Sequence, residues 1–299
     1  MPNLGTRSLV ASAFLLGALG CSDSSDDPAP SNGGSGGTGA ANAGAAGSSG
    51  ASGSAGTGGA AGASGAAGAS GAAGAAGSGS DFPVPDKLVA LTFDDGPNAT
   101  LTPAVLDKLE AHDVPASFFL IGQNIGAGTQ AVLDRAASLG CTFENHSIDT
   151  NALTGLTREQ IEAAVNGTTA AIEQFTDQVP VFFRPPNLAT DALMYEVIAL
   201  PFAGGIVGGD FPAQYGGNPT VEAVTNTVLT GVQDGSIILL HDTQPELDLQ
   251  PTPPALDIII PELKRQGYEF VTLRELFERR GVDPNSQQDS IWNVVPPAN

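Results

Sequence analysis

The sequence predicts an α/β fold built on a parallel sheet, and two observations predict it. First, setting aside the first 80 of the 299 residues leaves 219, which is enough for one domain with a sizeable core. Second, seven short apolar runs within those 219 residues alternate with segments of helical periodicity, the pattern of repeated βα units. A sheet of this size commonly closes into a barrel, although periodicity alone does not distinguish a barrel from an open doubly wound sheet.

The predicted strands are short and largely apolar, as expected when helices cover both faces of a parallel sheet. They occupy residues 88–93, 116–121, 141–144, 181–184, 203–207, 236–240 and 268–272.

Capping residues mark the helix boundaries. Thr102 followed by Pro103 predicts an N-cap and a first helical position, and Thr157 with Gln160 predicts a capping box. Gly140 closes a helix over 129–139, because glycine readily adopts the left-handed backbone conformation that follows a C-cap. Further helices are predicted at 157–175, 191–200, 220–233, 254–266 and 273–280.

The first 21 residues are typical of a secretion signal. One basic residue, Arg7, precedes twelve apolar or small residues at 9–20, a run too short to span a bilayer. The small residues Ala18 and Gly20 before Cys21 resemble a bacterial lipoprotein processing site, at which the cysteine becomes the lipidated first residue. The alternative is a simple signal peptide with an incidental cysteine.

Residues 22–80 predict an acidic spacer followed by a disordered tether. Positions 31–80 hold 19 Gly, 17 Ala, 10 Ser, 2 Thr and 2 Asn, so no large side chain is present to offset the entropy lost on ordering. We therefore predict an exported folded domain at 81–281, anchored by lipid to a bacterial envelope membrane, in the periplasm or at the cell surface. Residues 282–299 read as an extended tail that docks in part through its apolar side chains, among them Trp292.

Net charge excludes some classes of partner. Eleven Lys and Arg against 32 Asp and Glu give −21, and the part from Asp81 onward carries 10 minus 29, or −19. Such a surface repels nucleic acid and anionic lipid, so we expect no nucleic acid and membrane contact only through a lipid on Cys21. We also expect a monomer. With Cys21 lipidated, Cys141 is the one remaining cysteine, and no disulfide is expected.

Five predicted strands end in side chains that can carry chemistry. Because the carboxyl ends of parallel strands meet at one edge of a sheet, we expect these side chains to converge. Two adjacent carboxylates after an apolar strand are costly unless a cation or hydrogen bonds compensate them, which favours a metal site. Taken singly, Asp-Asp-Gly-Pro also suits a turn and His146 also suits a structural histidine. The side chains are Asp94, Asp95, His146, Arg184, Asp210 and His241.

Four motifs in this order resemble those of the NodB-type polysaccharide deacetylases, carbohydrate esterase family 4. They are Leu91–Pro97, Asn145–Ser147, Phe183–Pro186 and Leu239–Asp242, and the similarity covers about residues 87–277. The resemblance implies a distorted (β/α)7-type barrel. It also implies a metal-dependent hydrolase of N-acetyl groups on an amino-sugar polysaccharide, chitin-like or peptidoglycan.

The resemblance further implies a role for individual residues. Asp94 is similar to the general base that takes a proton from the attacking water, and Arg184 to the residue that orients this base. Asp95 and His146 are similar to ligands of a divalent metal ion, with zinc expected first and cobalt, nickel or manganese as alternatives. His241 is similar to the general acid that protonates the leaving amine.

Asp210 is similar to the carboxylate that tunes the pKa of that acid.

One position departs from the family pattern: Thr150 stands where a second metal-binding histidine is usual. The third ligand is therefore left open between Thr150, Asp149 and a water. Three functions follow: retained N-deacetylation, a catalytically silent carbohydrate-binding lipoprotein, and an O-acetyl carbohydrate esterase.

A second departure concerns the sugar-binding groove. Asn187 follows the two prolines where the family often has an aromatic residue or glycine, and the single Trp of the chain lies in the tail. Tyr195, Phe211 and Tyr215 are the aromatic residues left to line a groove.

Overall fold

A computed structural model of the chain describes residues 87–211, 218–245, 247, 250–287 and 289–297. The predicted signal ending at Cys21 and the predicted tether lie outside these residues, as does Tyr215. No helix in the described ranges combines the length and the apolar character needed to cross a membrane.

Strands and helices alternate through the described part of the chain. The strands are β1 (Lys87–Asp94), β2 (Ser117–Leu120), β3 (Thr142–Asn145), β4 (Ile206–Val207), β5 (Ser236–His241) and β6 (Tyr268–Val271). The α-helices are α1 (Thr102–His112), α2 (Gln130–Ser138), α3 (Arg158–Thr176), α4 (Ala192–Val197), α5 (Val221–Gly231), α6 (Thr252–Arg265) and α7 (Leu273–Arg280).

Strand β1 lies at the centre of the sheet, because it pairs in parallel with three neighbours. Residues 89–94 pair with β5, while residues 87–90 pair with β6 and residues 92–94 with β2. The sheet order is β3-β2-β1-β5-β4. Alternate residues of β1 contribute to two different hydrophobic clusters, one through Val89, Leu91 and Phe93 and the other through Leu88 and Ala90. Burial of both faces explains the continuous apolar run at residues 88–91 of this strand.

Isolated bridges carry the β-structure from β3 back to β4. Phe183 bridges both Asn145, at the end of β3, and Phe202, and the chain from Phe202 runs on into β4. Since β4 pairs with β5 and β5 with β1, these bridges close the sheet into a barrel. This architecture confirms the distorted (β/α)7-type barrel that the resemblance implied.

The predicted strand at 181–184 is wrong in its extent, because it contracts to the bridging residue Phe183. The backbone N–H groups of Val181 and Phe182 donate to the buried Glu144 carboxylate, at 2.7 and 3.0 Å, and not to a strand carbonyl. Prolines flank the run on both sides and have no N–H to donate to a ladder.

The C-terminal segment docks on the domain, as its apolar residues predicted. Trp292 and Val295 are buried, and Trp292 bridges Ala203. The predicted strand at 203–207 is shortened to β4 by the same contact, because Gly204 N donates to the Trp292 carbonyl at 2.8 Å.

Helix ends follow the predicted chemistry with one exception. Thr157 and Gln160 form the reciprocal capping box of α3, and Gly140 after α2 has φ of 78°. At α1, however, Leu101 occupies the N-cap and Thr102 lies inside the helix. The Thr102 hydroxyl is engaged elsewhere, as described below.

Candidate active site

The strand register places the predicted catalytic residues at one edge of the barrel. Asp94, the last residue of β1, is paired in register with His241 at the end of β5. A cleft of about 790 Å³ opens at this edge. Its walls are formed by Asp94, Asp95, Asn98, Asn124, His146, Thr150, Pro185, Pro186, Asn187, Leu188, Val207, Phe211, Leu239, His241, Thr243 and Pro245.

Asp94 is held by a buried arginine. Arg184 Nη1 donates to Asp94 Oδ1 at 2.5 Å, and the same guanidinium donates to the carbonyl oxygens of Ala203 and Gly204. The guanidinium also lies over the Phe119 ring, 3.8 Å from its centroid. Burial lowers the pKa of Arg184, and the charge of Asp94 opposes that effect. With Oδ1 occupied, Oδ2 is the Asp94 oxygen that faces His146 and the cleft.

His146 presents its Nε2 atom to both aspartates. Its Nδ1 lies 2.7 Å from the Arg184 carbonyl oxygen, which can only accept, so Nδ1 carries a hydrogen. Nε2 lies on the opposite side of the ring, 3.6 Å from Asp95 Oδ1 and 3.7 Å from Asp94 Oδ2. A histidine fixed by a backbone carbonyl in this way is the usual arrangement of a metal ligand.

The Asp95 and His146 donors fit one divalent ion. Two ligand atoms each about 2.1 Å from a zinc ion lie about 3.4 Å apart at a tetrahedral angle, close to the 3.6 Å observed here. In the described ranges, no group of three or more His, Cys, Asp or Glu side chains has the arrangement of a metal site. Within the described ranges, Asp95 and His146 are thus two candidate ligands at this spacing, and both line the cleft.

His241, at the end of β5, is paired with Asp210. Its Nδ1 lies 2.9 Å from Asp210 Oδ1, and its backbone N–H donates to Asp210 Oδ2 at 2.7 Å. Thr252 also donates to the fully buried Asp210. Burial lowers the pKa of His241, but the charge and hydrogen bond of Asp210 outweigh it and raise the pKa to about 9. His241 Nε2, the ring nitrogen that Asp210 does not contact, lies 4.0 Å from Asp95 Oδ2 at the cleft.

Comparisons with known proteins agree with this geometry. A family profile described as polysaccharide deacetylase matches residues 82–200. A peptidoglycan-N-acetylglucosamine deacetylase from Bacillus cereus is 33% identical over 200 residues, which are 66% of this chain and 91% of that protein. This chain belongs to the polysaccharide deacetylase family. The resemblance read from the four motifs is confirmed, and with it membership in a family of hydrolases.

Two further relatives of this deacetylase-family chain are nearer in sequence. A family 4 acetyl xylan esterase from Clostridium thermocellum, solved with a cobalt ion, is 44% identical with a TM-score of 0.65, over 70% of this chain and 100% of that one. A bifunctional xylanase/deacetylase from Pseudobutyrivibrio xylanivorans is 42% identical over 209 residues, 70% of this chain. The chain spans about a third of the length of that relative, 33%.

Thr150 occupies the position at which the family usually has a second metal-binding histidine. Thr150 is exposed and lines the cleft, and its carbonyl oxygen accepts a hydrogen bond from Asn187 Nδ2 at 3.2 Å. Asp149 is not among the described residues lining the cleft, and its Oδ1 accepts a hydrogen bond from the backbone of Asn151. Of the two side chains considered as a third ligand, Thr150 is therefore the one at the cleft wall.

Sequence reasoning missed part of the cleft wall. Asn124 lies after β2, a strand whose end was not predicted to carry a reactive side chain. Its Nδ2 donates to the Asp95 carbonyl at 2.8 Å. Phe211 lies against the His241 ring, with centroids 5.2 Å apart, as a groove residue should. The prediction that Tyr195 lines the groove is wrong. Its ring packs on the Phe202 ring, with centroids 4.6 Å apart, and Tyr195 is not among the described residues lining this cleft.

A buried carboxylate bonded to a hydroxyl was also overlooked. Asp242, directly after His241, is 3% exposed, and burial raises its pKa to about 7. The hydroxyl of Thr102 donates to its Oδ2. A polar residue at the exit of a buried strand was the signal in the sequence, but its partner lies 140 residues away.

Proposed function

We propose that this chain hydrolyses acetyl groups of an acetylated polysaccharide, with N-acetyl groups of an amino-sugar polymer as the first candidate substrate. The observation that carries the proposal is that a restrained carboxylate, Asp94, and the imidazole of His241 meet at the paired carboxyl ends of β1 and β5, where both line one cleft. The two metal-fitting donors, Asp95 and His146, line the same cleft. A binding module without catalysis has no use for an acid and a base arranged in this way.

Each protein group has a defined task in the proposed reaction. Asp94 Oδ2 accepts a proton from the attacking water while Arg184 holds Oδ1 and keeps the carboxylate oriented. As the bond between the acetyl carbon and nitrogen breaks, His241 Nε2 donates a proton to that nitrogen. Acetate and a free amine are the products. Asp210 keeps the Nδ1 hydrogen of His241 in place and favours the charged form of the ring.

Asp95 and His146 would hold the divalent ion of this family, with zinc or cobalt as candidates. When bound, such an ion polarises the carbonyl and makes water more acidic. Because only two carboxylate or imidazole ligands converge here in the described part of the chain, we expect weaker binding than at a site with three such ligands.

Acetate release tests the proposal. The metal-loaded chain is incubated with acetylated chito-oligosaccharides, and Asp94→Asn is compared with Asp134→Asn, a matched change at an exposed position. We expect at least about a 1000-fold loss for Asp94→Asn and none for Asp134→Asn, because only the first removes a base. Glycan binding without acetate release across several divalent metals would instead support a silent carbohydrate-binding lipoprotein.

O-acetyl groups on a xylan-like polymer are the second candidate substrate. The identities of 44% to an acetyl xylan esterase and 42% to a xylanase/deacetylase support it. An amide nitrogen must be protonated to leave, whereas an ester alcohol leaves more readily. Loss of the Asp210 charge should therefore slow amide hydrolysis more than ester hydrolysis. Parallel rates on acetylated xylan and acetylated chito-oligosaccharides identify the better substrate.

We further propose that the chain is exported and held to a bacterial envelope membrane by a lipid on Cys21, with residues 22–80 as the tether. The composition of residues 31–80 predicts a flexible chain, and 50 such residues would have a root-mean-square span of about 40 Å, enough to reach across a layer of envelope polymer. Cys21→Ser should move the protein from the membrane fraction to the soluble fraction. Unchanged membrane association would exclude the lipid anchor.

A further inference from the structure

The carboxylate of Asp242 lies directly behind the turn that carries the proposed metal ligand Asp95. Asp242 N donates to the Asp94 carbonyl oxygen at 3.3 Å, so the strand exit at β5 is tied to the strand exit at β1. The side chain is 3% exposed, and among the described residues it forms no ion pair with Lys or Arg. The cleft chemistry proposed above does not use it.

Thr102 links this carboxylate to the loop that precedes α1. The Thr102 hydroxyl accepts a hydrogen bond from Asn98 N at 2.8 Å, and it donates its single hydrogen to Asp242 Oδ2. The loop from Asp95 to Asn98, both of which line the cleft, is therefore fastened to Asp242 at its far end.

Gly96 shows how closely the carboxylate backs the turn. A Cβ atom built on Gly96 would lie 2.5 Å from Asp242 Oδ2, 2.6 Å from Oδ1 and 2.9 Å from the carboxyl carbon. The φ angle of Gly96 lies outside the left-handed region, so contact with Asp242, not backbone conformation, excludes a side chain there. Asp95 itself has φ of 74°, a conformation that a non-glycine residue keeps only when its surroundings hold it.

We propose that Asp242 is a positioning residue, which acts through Thr102 and Gly96 to hold the left-handed turn at Asp95 so that its carboxylate faces His146. The importance of that orientation for metal binding rests on the proposed function. The brace itself is a property of the metal-free chain and is measured separately.

Hydrogen exchange of the metal-free chain tests the brace. The reporter is Ile121 N–H, which donates to the Gly96 carbonyl at 2.8 Å and touches none of the altered groups. Thr102→Val should speed its exchange at least 10-fold, and Thr102→Ser should restore protection to within 3-fold. Thr225→Val is the matched control, because Thr225 is buried and its hydroxyl has no hydrogen-bond partner among the described residues. Equal exchange in Thr102→Val and Thr225→Val would overturn the proposal.

Zinc affinity tests the consequence for the site, by competition with a chelating dye. Gly96→Ala should weaken binding about 10-fold or more, the usual effect of disturbing the groups that orient a ligand. Adding Asp242→Ala should relieve the contact, so that Gly96→Ala has at most a 3-fold effect in that background. Independent effects of the two changes would overturn the proposal. If the unaltered chain binds neither zinc nor cobalt, the proposed function fails, and the exchange result alone decides the brace.

Discussion

Replacing Asp210 by asparagine should lower the pKa of His241 from about 9 to about 6.5 or below. Burial pushes this pKa down, and the charge and hydrogen bond of Asp210 are the main causes that push it up. Asparagine is nearly isosteric and keeps an oxygen for Thr252 and for the His241 backbone N–H, so the change removes the charge while leaving the packing.

The magnitude follows from the size of the shift. From 6.5 to about 9 is roughly 2.5 units, or about 3 kcal/mol at about 1.36 kcal/mol per unit. His241 is a group whose pKa is raised in the folded state. Its stabilisation is therefore fully present below about pH 6.5 and is lost as pH rises through about 9. The free energy of unfolding should thus fall by about 3 kcal/mol in Asp210→Asn at pH 5.5, and the difference should shrink by pH 9.5.

Proton NMR titration of the metal-free chain measures the shift directly, because the sequence contains three histidines. His112, the last residue of α1, lies 3.1 Å from Asp257 and away from the altered site, so its signal serves as an internal control. The alkaline limit of acetate release should move with His241, from about pH 9 toward about pH 6.5. The reasoning is refuted if His241 titrates near 6.5 in the unaltered chain, or if Asp210→Asn leaves its pKa in place.

Three further changes, the last with a matched control, have expected outcomes. Thr150→His should raise zinc affinity at least about 10-fold in a dye-competition assay, because it offers the ion a third strong protein ligand at the cleft wall. Arg184→Met should lower the free energy of unfolding by about 3–5 kcal/mol in chemical denaturation, because it leaves the buried Asp94 carboxylate without its cation. Gly235→Ala should cost about 2–3 kcal/mol, because its Cβ would lie 2.1 Å from a carbonyl oxygen of the C-terminal segment, at φ of 84°. Gly126→Ala, with no atom within 4 Å, should stay within about 0.5 kcal/mol.

Each of these outcomes can be contradicted. Unchanged zinc affinity in Thr150→His would mean that position 150 does not reach the ion. Full stability of Arg184→Met would show that Asp94 does not depend on this cation. Equal stability of the two glycine variants would contradict the docking of the C-terminal segment against Gly235.

The sequence by itself determined the features that depend on neighbours along the chain. The alternation of strands and helices follows from the short-range periodicity of apolar residues. The capping box of α3 needs only Thr157 and Gln160. Placement of Asp94 and His241 at one edge also followed, because both end apolar runs and parallel strands share a carboxyl edge.

The tertiary structure alone decided how those side chains are partnered. The hydrogen on His146 Nδ1 depends on a carbonyl 38 residues away, and the partner of Asp242 is 140 residues away. The predicted strand at 181–184 was too long for the same reason, since the N–H groups of Val181 and Phe182 bond to a carboxylate of β3. Such contacts exist only once the barrel has closed, because closure sets which distant groups meet in a space that excludes water. Local periodicity carries no information about that choice.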